Sequence, residues 1–423
     1  VFCNEDYFTP IPRIEDKAQA AITVMDYNGH VVASYGGRGE KTGRRELNRA
    51  TQSKRQTGSA MKPLGVYAPA LDANLITWST KISNEALTVG GTKFHNYDRR
   101  TSGPVTCQNA LERSLNLVPL RILQSYGTRK SFDFLTQKMG FTTLVESVTI
   151  NGKEYNDVGL AQLALGSMTY GAYTDEMTAA FATFGSGGVY HAPTYYSVVT
   201  SYDGKETILS YDTTGIQAIS AETAYIMNRM LNTVVTGSSG TGRSAAFDGW
   251  NNNIFAKTGT TSDNKDRTFA GGTPYYCAYV WYGCDNPKPM NGISGNPALK
   301  LWKPVMQAIH KDLAKINFPS CSGVTTAKYC LVTGKIATET CSGTGTGYFK
   351  KDYMPKCDGE GHAVTSTPPN SSGAASSGTA SENVSGGSES GAASSGATSS
   401  TPPESESVSS TPASSEAASQ SAA

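Results

Sequence analysis

Long hydrophobic runs are missing from this chain of 423 residues. No stretch of about 18 consecutive apolar residues occurs and no signal peptide opens the chain, so the sequence predicts no transmembrane helix. Dense runs of Lys and Arg are missing too, and the net charge at pH 7 is only +1. Nucleic acid is therefore not expected as a partner.

Zinc-binding sequence patterns are also absent. The chain has no C-x-x-C pair and only five His, so we predict neither a metal site nor a cofactor. The eight cysteines are Cys3, Cys107, Cys277, Cys284, Cys321, Cys330, Cys341 and Cys357. The last four lie in residues 316–364, a segment rich in Gly, Thr and Ser. We interpret it as a small appendage stapled by disulfides in an oxidising compartment, with free thiols as the alternative and the pairing left open.

Composition also indicates how the chain is divided into a linker, a main domain and a tail. Residues 365–423 are almost entirely Ser, Ala, Gly, Thr, Pro and Glu, without aromatics, which predicts a disordered tail. This tail has five Glu and no Lys or Arg, so the remainder is mildly basic at +6. Residues 1–18 are interpreted as a linker from an upstream region outside this sequence, and residues 19–315 as the main domain.

The order of predicted elements favours an α+β fold. Asn28-Gly29 between two β-prone runs, 20–26 and 30–35, predicts a hairpin. Helices follow over most of residues 107–234, with a break near Ser114, and the runs 250–256 and 275–282 are predicted as adjacent strands. A last helix begins at Pro297, with Asn296 as its N-cap. We expect an antiparallel sheet, built from both ends of the domain and flanked by helices, with an adjoining helical subdomain.

Ser59 and Lys62 form the first pair with catalytic potential. Residues i and i+3 share one face of a helix, so Lys62 can reach the Ser59 hydroxyl. A serine needs an adjacent base to act as a nucleophile, and a lysine is such a base only when burial or a neighbouring cation lowers its pKa. The alternative is a capping serine followed by an exposed lysine.

Two further stretches carry polar groups at suggestive positions. Ser114 and Asn116 lie two residues apart at the predicted helix break, where both can point into one cleft. The run Lys257-Thr258-Gly259-Thr260-Thr261 follows a β-prone approach, and its glycine lets a ligand come close to the strand. Taken singly, these stretches are also consistent with a capping pair and with a strand whose lysine is solvated.

Together, the three stretches reproduce an ordered motif set, S-x-x-K, S-x-N and K-T-G. The segment Arg55-Gln56-Thr57-Gly58-Ser59-Ala60-Met61-Lys62-Pro63 resembles the R-Q-P-G-S-x-x-K-P motif of class A penicillin-binding proteins. The resemblance covers about residues 18–345. Further similar stretches are Asn48-Arg49-Ala50, Ala110-Leu111, Leu163-Ala164-Leu165-Gly166, Gly187-Gly188-Val189-Tyr190 and, after Asp266, Phe269-Ala270-Gly271-Gly272-Thr273-Pro274.

The resemblance implies a serine-type D,D-transpeptidase of the β-lactamase/transpeptidase-like fold. Ser59 would attack the penultimate D-Ala carbonyl of a peptidoglycan stem peptide, and an amine of a second stem would accept the acyl group. Lys62 would take the Ser59 proton and Ser114 would pass it to the leaving amine, while Asn116 orients Lys62 and the substrate. Lys257 would polarise Ser114. β-Lactams would acylate Ser59 as substrate mimics.

The third motif is expected to bind substrate through Thr258, Gly259, Thr260 and Thr261. Thr258 and Thr260 would hold the terminal carboxylate together with Lys257, and the backbone N–H groups of Ser59 and Thr260 would form the oxyanion hole. The resemblance also implies the extracytoplasmic face of the bacterial membrane, reached through an anchor that, like the family's glycosyltransferase domain, is expected to lie outside this sequence.

Three alternatives stay open. A D,D-carboxypeptidase differs only in using water as the acceptor. A class A β-lactamase needs an E-x-x-L-N glutamate, which does not occur between Asn116 and Lys257; Glu46-Leu47-Asn48 lies upstream at the wrong spacing. A non-catalytic wall-binding or β-lactam-sensing module would have lost a catalytic residue, and none is lost.

Four positions depart from the family pattern. Thr57 stands in place of Pro, and Leu115 in place of the Asp of S-D-N. Thr268 and Gly272 stand where the family usually has Trp and Tyr. All four flank the predicted site, so we expect them to affect substrate shape more than chemistry.

Overall fold

The computed structural model describes residues 1–12 and 16–362. The predicted tail, 365–423, lies outside the described residues. The strands are β1 (Gln19–Met25), β2 (Val31–Tyr35), β3 (Lys81–Asn84), β4 (Leu87–Val89), β5 (Thr92–Phe94), β6 (Ser102–Thr106), β7 (Val148–Ile150), β8 (Lys153–Tyr155), β9 (Val189–Tyr190), β10 (Val198–Thr200), β11 (Thr207–Ser210), β12 (Ile216–Gln217), β13 (Phe255–Thr260), β14 (Asp266–Gly272), β15 (Cys277–Gly283), β16 (Val324–Cys330) and β17 (Thr344–Lys350). The α-helices are α1 (Arg49–Gln52), α2 (Ala68–Asp72), α3 (Cys107–Glu112), α4 (Leu117–Tyr126), α5 (Thr128–Gln137), α6 (Leu160–Leu165), α7 (Thr174–Ala182), α8 (Ala221–Thr236) and α9 (Pro297–His310).

A five-stranded antiparallel sheet has the order β13-β14-β15-β1-β2. The β1–β2 hairpin turns at Gly29, whose φ of 93° suits glycine, and the Asp26 carboxylate accepts hydrogen bonds from the backbone N–H groups of Asn28 and His30. Strands from both ends of the domain thus form one sheet, and helices flank it. The predicted α+β fold is confirmed, both by this topology and by solved neighbours described below.

The prediction that the runs 250–256 and 275–282 are adjacent strands is wrong. Strand β14 lies between β13 and β15, and residues Asn251–Asn253 form a 3-10 turn. The glycines of β14 weaken its sequence pattern, yet close packing requires them. A Cβ on Gly271 would lie 2.8 Å from the Trp302 ring, and one on Gly272 would lie 2.4 Å from the Phe255 ring.

The two faces of the sheet have separate cores. Tyr279 and Trp281 belong to the cluster formed with the helical block, whereas Val280 belongs to the cluster that includes α9. Side chains alternate along a strand, so register assigns each residue to one face. Lys257 pairs with Ala270 of the first cluster and therefore faces the helical block.

The segment predicted as a linker, residues 1–18, contributes to the second core. Phe2, Phe8 and Ile11 are buried there, and the Phe8 ring stacks 6.0 Å from that of Tyr282. Helix α9 covers the same face. It begins as predicted, with Asn296 Oδ1 accepting hydrogen bonds from backbone N–H groups of the first turn.

The predicted helix break near Ser114 is confirmed. Helix α3 ends at Glu112 and α4 begins at Leu117, and Ser114 has a left-handed φ of 57°. A non-glycine residue at positive φ is uncommon and costs backbone strain, which the surrounding structure must hold in place. The break thus directs residues 114–116 away from a helical path.

The described part of the predicted appendage, residues 316–362, forms the β16–β17 hairpin against the helical block. Tyr329 and Phe349 are buried in the first cluster, and the rings of Trp78 and Tyr348 lie 5.3 Å apart. All eight cysteines are free thiols, so the predicted disulfide staple is wrong for this structure. Three thiols of the segment instead converge on one histidine.

None of the helices formed by the described residues has both the length and the apolar composition that crossing a membrane requires.

Candidate active site

Ser59 lies in a 3-10 turn, Gly58–Ala60, that begins the helical stretch running to Asp72. This turn packs directly against β13. Gly58 has a φ of 55°, and a Cβ there would lie 2.5 Å from the carbonyl oxygen of Thr260. A Cβ on Gly259 would lie 2.4 Å from the carbonyl oxygen of Thr57. The two glycines therefore let the serine turn and the K-T-G strand touch.

Lys62 lies one turn after Ser59 and is completely buried. Its Nζ donates hydrogen bonds to the carbonyl oxygen of Ser114 at 2.8 Å and to Asn116 Oδ1 at 2.7 Å. The Ser114 hydroxyl lies 3.4 Å away. A neutral amine has two N–H donors and one lone pair, so these two oxygens use both donors and leave the lone pair for a hydroxyl.

The orientation of the Asn116 amide follows from its neighbours. Its Nδ2 donates to the carbonyl oxygen of His95 at 2.8 Å, and a carbonyl can only accept. Oδ1 must therefore face Lys62. Asn96 supports this arrangement, because its Oδ1 accepts the backbone N–H of Asn116 at 2.8 Å. His95 and Asn96 belong to no recognisable motif, and sequence analysis missed both.

The Ser114 hydroxyl connects two lysines. Lys257 Nζ donates to Ser114 Oγ at 2.8 Å and to the carbonyl oxygen of Thr258 at 2.9 Å. Lys62 lies on the other side of the same hydroxyl. A hydroxyl can donate and accept at once, so Ser114 can relay a proton between the Lys62 side and a group bound in the cleft.

Burial changes the acidity of both lysines. Desolvation, reinforced by the nearby Lys257 cation, holds the pKa of Lys62 well below its ordinary value. Burial alone lowers the pKa of Lys257 to about 7. No carboxylate is among the hydrogen-bond partners of either amine in the described part of the chain. The lowered pKa of Lys62 favours its neutral amine, the form that can accept a proton.

Ser59 itself is half-buried, unlike the two lysines. Within the described residues, no hydrogen bond joins its hydroxyl to another group. Catalytic hydrogen bonds are often long before substrate binds, so this geometry is compatible with a nucleophile that pairs with Lys62 in the complex.

Thr258 and Thr260 lie on the opposite face of β13 from Lys257 and Gly259, because side chains alternate along a strand. The hydroxyls of Thr258 and Thr241 are 2.8 Å apart, and an Arg267 Nη donates to the Thr260 hydroxyl at 3.3 Å. Thr241 and Arg267 are additional residues that sequence analysis missed.

Thr261 has a structural partner. Its hydroxyl accepts the backbone N–H of Asp266 at 2.9 Å, which closes the turn from β13 to β14. The structure therefore brings Thr258 and Thr260 to the strand beside Ser59, and Thr261 to the end of that strand.

The two non-aromatic positions of β14 have identifiable packing roles. Thr268 is fully buried and its hydroxyl donates to the Thr57 carbonyl oxygen at 2.9 Å. This hydrogen bond links β14 to the residue before the serine turn. At Gly272 the Phe255 ring and the Tyr27 hydroxyl fill the space that a larger residue would need. Both departures from the family pattern therefore serve packing beneath the site.

The segment that packs against the serine turn contains no carboxylate. A Cβ on Gly166 would lie 2.3 Å from the Gly58 carbonyl oxygen, and one on Gly171 would lie 2.4 Å from the Arg55 carbonyl oxygen, so the segment 159–171 contacts the chain next to Ser59. They include neither Asp nor Glu. The Asp157 carboxylate that precedes them accepts hydrogen bonds from Thr169 and from the Val145 backbone.

The Ser59 turn and two buried lysines meet where an antiparallel sheet packs against a helical block. This arrangement defines a protein of the β-lactamase/transpeptidase-like class. Penicillin-binding protein 1A from Haemophilus influenzae has the same fold, with a TM-score of 0.67 over 80% of this chain and 54% of that one, at 22% identity. PonA1 from Mycobacterium tuberculosis in complex with penicillin V has a TM-score of 0.62 over 75% and 84%, at 26% identity.

Sequence comparison identifies the family. Residues 20–287 match the penicillin binding protein transpeptidase domain, and the chain belongs to that family. Penicillin-binding protein 1A from Clostridium acetobutylicum is 34% identical over 320 residues, which are 73% of this chain and 38% of that protein. Penicillin-binding protein 4 from Bacillus subtilis is 32% identical over 293 residues, 69% of this chain and 44% of that protein. The chain thus spans about two fifths of the length of these relatives. Membership in this family supports an acyltransferase.

Proposed function

We propose that this chain is a serine-type D,D-transpeptidase that cross-links peptidoglycan stem peptides and is acylated by β-lactams. The observation that carries the proposal is the Ser114 hydroxyl, which lies between two buried lysines next to the Ser59 turn. This arrangement supplies a base and a proton path without a histidine or a carboxylate. The family of the chain supports the same reaction class.

Acylation begins with proton transfer. Neutral Lys62 removes the Ser59 hydroxyl proton as Oγ forms a bond to the penultimate D-Ala carbonyl carbon. The resulting tetrahedral oxyanion collapses and the C–N bond to the terminal D-Ala breaks. The leaving amine takes a proton from the Ser114 hydroxyl, which is replenished from the Lys62 ammonium. Lys257, 2.8 Å from Ser114 Oγ, favours this donation.

The terminal carboxylate of the substrate and the oxyanion that develops at the penultimate D-Ala carbonyl need separate sets of hydrogen-bond donors. The hydroxyls of Thr258 and Thr260, which share one face of β13, are assigned to the terminal carboxylate together with Lys257, and Arg267 donates to the Thr260 hydroxyl at 3.3 Å. The backbone N–H groups of Ser59 and Thr260 are assigned to the oxyanion. The close contact that Gly58 makes with Thr260 supports this assignment, since it holds the two segments together.

The acceptor is proposed to be an amine of a second stem peptide. A β-lactamase would need a carboxylate over the ester to activate water, and residues 159–171 have none. A D,D-carboxypeptidase uses the same first half-reaction and remains the second candidate. A non-catalytic module is disfavoured because Ser59, Lys62 and Lys257 are all present. The substrate lies outside the cytoplasm, so the extracytoplasmic face of the bacterial membrane is the proposed location.

Covalent labelling with a fluorescent penicillin tests the proposal. We expect one label per chain, at Ser59 by peptide mapping, and no label on the Ser59→Ala variant. Ser125→Ala removes an exposed serine hydroxyl far from the motifs and serves as the control that retains labelling. Equal labelling of the Ser59→Ala variant would refute the assignment.

Acceptor choice requires a second assay. A stem pentapeptide is supplied with a D-amino acid, and exchange of the terminal residue is measured against release of the tetrapeptide acid. Predominant exchange supports a transpeptidase, whereas hydrolysis that the D-amino acid does not suppress supports the carboxypeptidase.

A further inference from the structure

Three cysteines and a histidine converge at the C-terminal hairpin, outside the catalytic site. Cys330 ends β16, Cys341 lies in the loop before β17, and Cys357 and His362 follow the hairpin. One ligand atom from each residue, three Sγ and one imidazole nitrogen, lies within 4.8 Å of the other three. Cys330 and Cys357 are buried, and the other two are partly buried.

The arrangement matches the shape of a tetrahedral metal site. His362 Nε2 lies 3.1 Å from Cys330 Sγ and 3.5 Å from Cys357 Sγ. Around a zinc ion with Zn–S bonds of about 2.3 Å, tetrahedral geometry separates two sulfurs by about 3.8 Å, so four ligand atoms within 4.8 Å fit one ion. Pairwise disulfides cannot account for three thiols and an imidazole, because one thiol is always left over.

The hydrogen bonds around the cluster orient its ligands. His362 Nδ1 lies 3.2 Å from the Thr340 carbonyl oxygen, to which it can only donate, so Nε2 holds the lone pair that faces the thiols. The Thr338 backbone N–H donates to Cys341 Sγ at 3.3 Å, and the Thr333 hydroxyl donates to Cys357 Sγ at 3.2 Å. Donors aimed at sulfur stabilise thiolates, the form that binds metal.

Backbone hydrogen bonds hold together the segments that carry the four residues, no two of which are adjacent in sequence. The Ile336 N–H donates to the Pro355 carbonyl at 2.8 Å, and the Cys357 N–H donates to the Ile336 carbonyl at 2.8 Å. Gly334, at φ 76°, closes the turn after Cys330, and its carbonyl accepts the Ser79 hydroxyl at 2.6 Å. The cluster therefore lies where the segment after β17 returns to the hairpin and the hairpin touches the main domain.

We propose that Cys330, Cys341, Cys357 and His362 bind one structural Zn²⁺ ion. Soft thiolates with one imidazole in a tetrahedral set favour zinc, and four protein ligands leave no open position for catalysis. Binding displaces the thiol protons to solvent and gives three Zn–S bonds and one Zn–N bond. The ion fixes residues 355–362 to the β16–β17 hairpin. This inference goes beyond the proposed function and does not depend on it.

Metal content of the whole chain is the direct test. The protein is purified with reduced thiols, loaded with Zn²⁺, dialysed and analysed by inductively coupled plasma mass spectrometry. We expect one zinc per chain, and loss of that zinc in the Cys341→Ser variant. Cys321→Ser is the matched control, since Cys321 lies in the same segment but outside the cluster, and it retains the zinc.

Two further measurements distinguish an ion bound by these four residues from an ion bound elsewhere on the protein. Cobalt substitution gives the intense d–d bands of a tetrahedral site and a thiolate-to-cobalt charge-transfer band, and both vanish in Cys341→Ser. His362→Ala lowers zinc affinity by about tenfold or more in competition with a chromophoric chelator.

Several results would overturn the proposal. These are a folded chain that takes up no zinc under reducing conditions, zinc that Cys341→Ser retains, or an octahedral cobalt spectrum. A native disulfide between any two of the three cluster cysteines, found by non-reducing peptide mapping, would overturn it as well.

Discussion

Replacing Lys62 with Arg distinguishes a general base from a mere positive charge. Arg retains the charge and hydrogen-bond donors but stays protonated throughout the accessible pH range, so it cannot accept the Ser59 proton. Because burial and the Lys257 cation depress the pKa of Lys62, the neutral wild-type amine is favoured and can act as the proposed base. We expect Lys62→Arg to lose acylation by penicillin. Lys62→Met, which removes the charge at similar length, is the second variant.

Replacing Lys62 should affect both the acylation rate and the folding stability. Loss of a positioned general base costs about 10²–10⁴-fold in rate, and this corresponds to about 3–5 kcal/mol in activation free energy at about 1.4 kcal/mol per tenfold. Lys62→Met also leaves the Ser114 carbonyl and Asn116 Oδ1 without the donors they have at 2.8 and 2.7 Å. Each orphaned acceptor costs about 1–3 kcal/mol of folding free energy, partly offset because the buried amine is gone.

The assay is the second-order rate constant for acylation by a fluorescent penicillin, measured against pH, with thermal unfolding as the folding control. The wild-type rate should rise with pH on the acid side as Lys62 loses its proton, with an apparent pKa below the ordinary lysine range. Both variants should lack this limb. A folded Lys62→Arg chain that acylates at the wild-type rate, or that keeps the same rising limb, would show that Lys62 is not the base.

Three further predictions follow from the same site. Ser114→Ala, which removes the hydroxyl between the two lysines, should lower the acylation rate by about 10²-fold, and the loss of the 2.8 Å acceptor of buried Lys257 should lower the free energy of unfolding by about 1–3 kcal/mol. Lys257 has a pKa of about 7, so its positive charge is present below that pH and lost above it; the acylation rate should therefore fall as the pH rises through 7, and Lys257→Arg should remove that falling limb. Gly259→Ala puts a Cβ 2.4 Å from a backbone oxygen and should destabilise the fold by about 1–3 kcal/mol in chemical denaturation. Gly103→Ala, with open space around it, is the neutral control.

Motif spacing was sufficient to predict part of the geometry of the candidate site. Ser59 and Lys62 share a face because they are three residues apart at the start of a helix, and that relation needs no distant contact. The same holds for the break that displays Ser114 and Asn116, since the apolar pattern ends there. Local rules also placed the β1–β2 hairpin and the N-cap of α9, where a turn or cap is made by adjacent residues.

Tertiary contacts decided the strand order and the support of the site. Strand β14 has a sequence weakened by its glycines, yet it pairs with both β13 and β15, and its glycines are required by the rings of Trp302 and Phe255 that pack against them. His95 and Asn96 orient Asn116 from a distant loop. Thr268 was expected to alter substrate shape, yet it fastens β14 to the serine turn.

The sequence by itself determined which groups are available: a serine and lysine on one helix, a lysine on a glycine-bearing strand, and four cysteines near the C-terminus. Only the tertiary structure decided what these groups are near. The lysine pKa values fall because the fold buries both amines around one hydroxyl. The thiols meet His362 because the segment after β17 returns to the β16–β17 hairpin and brings residue 362 next to residue 330. Burial and proximity between distant residues arise from packing, and short sequence patterns do not encode them.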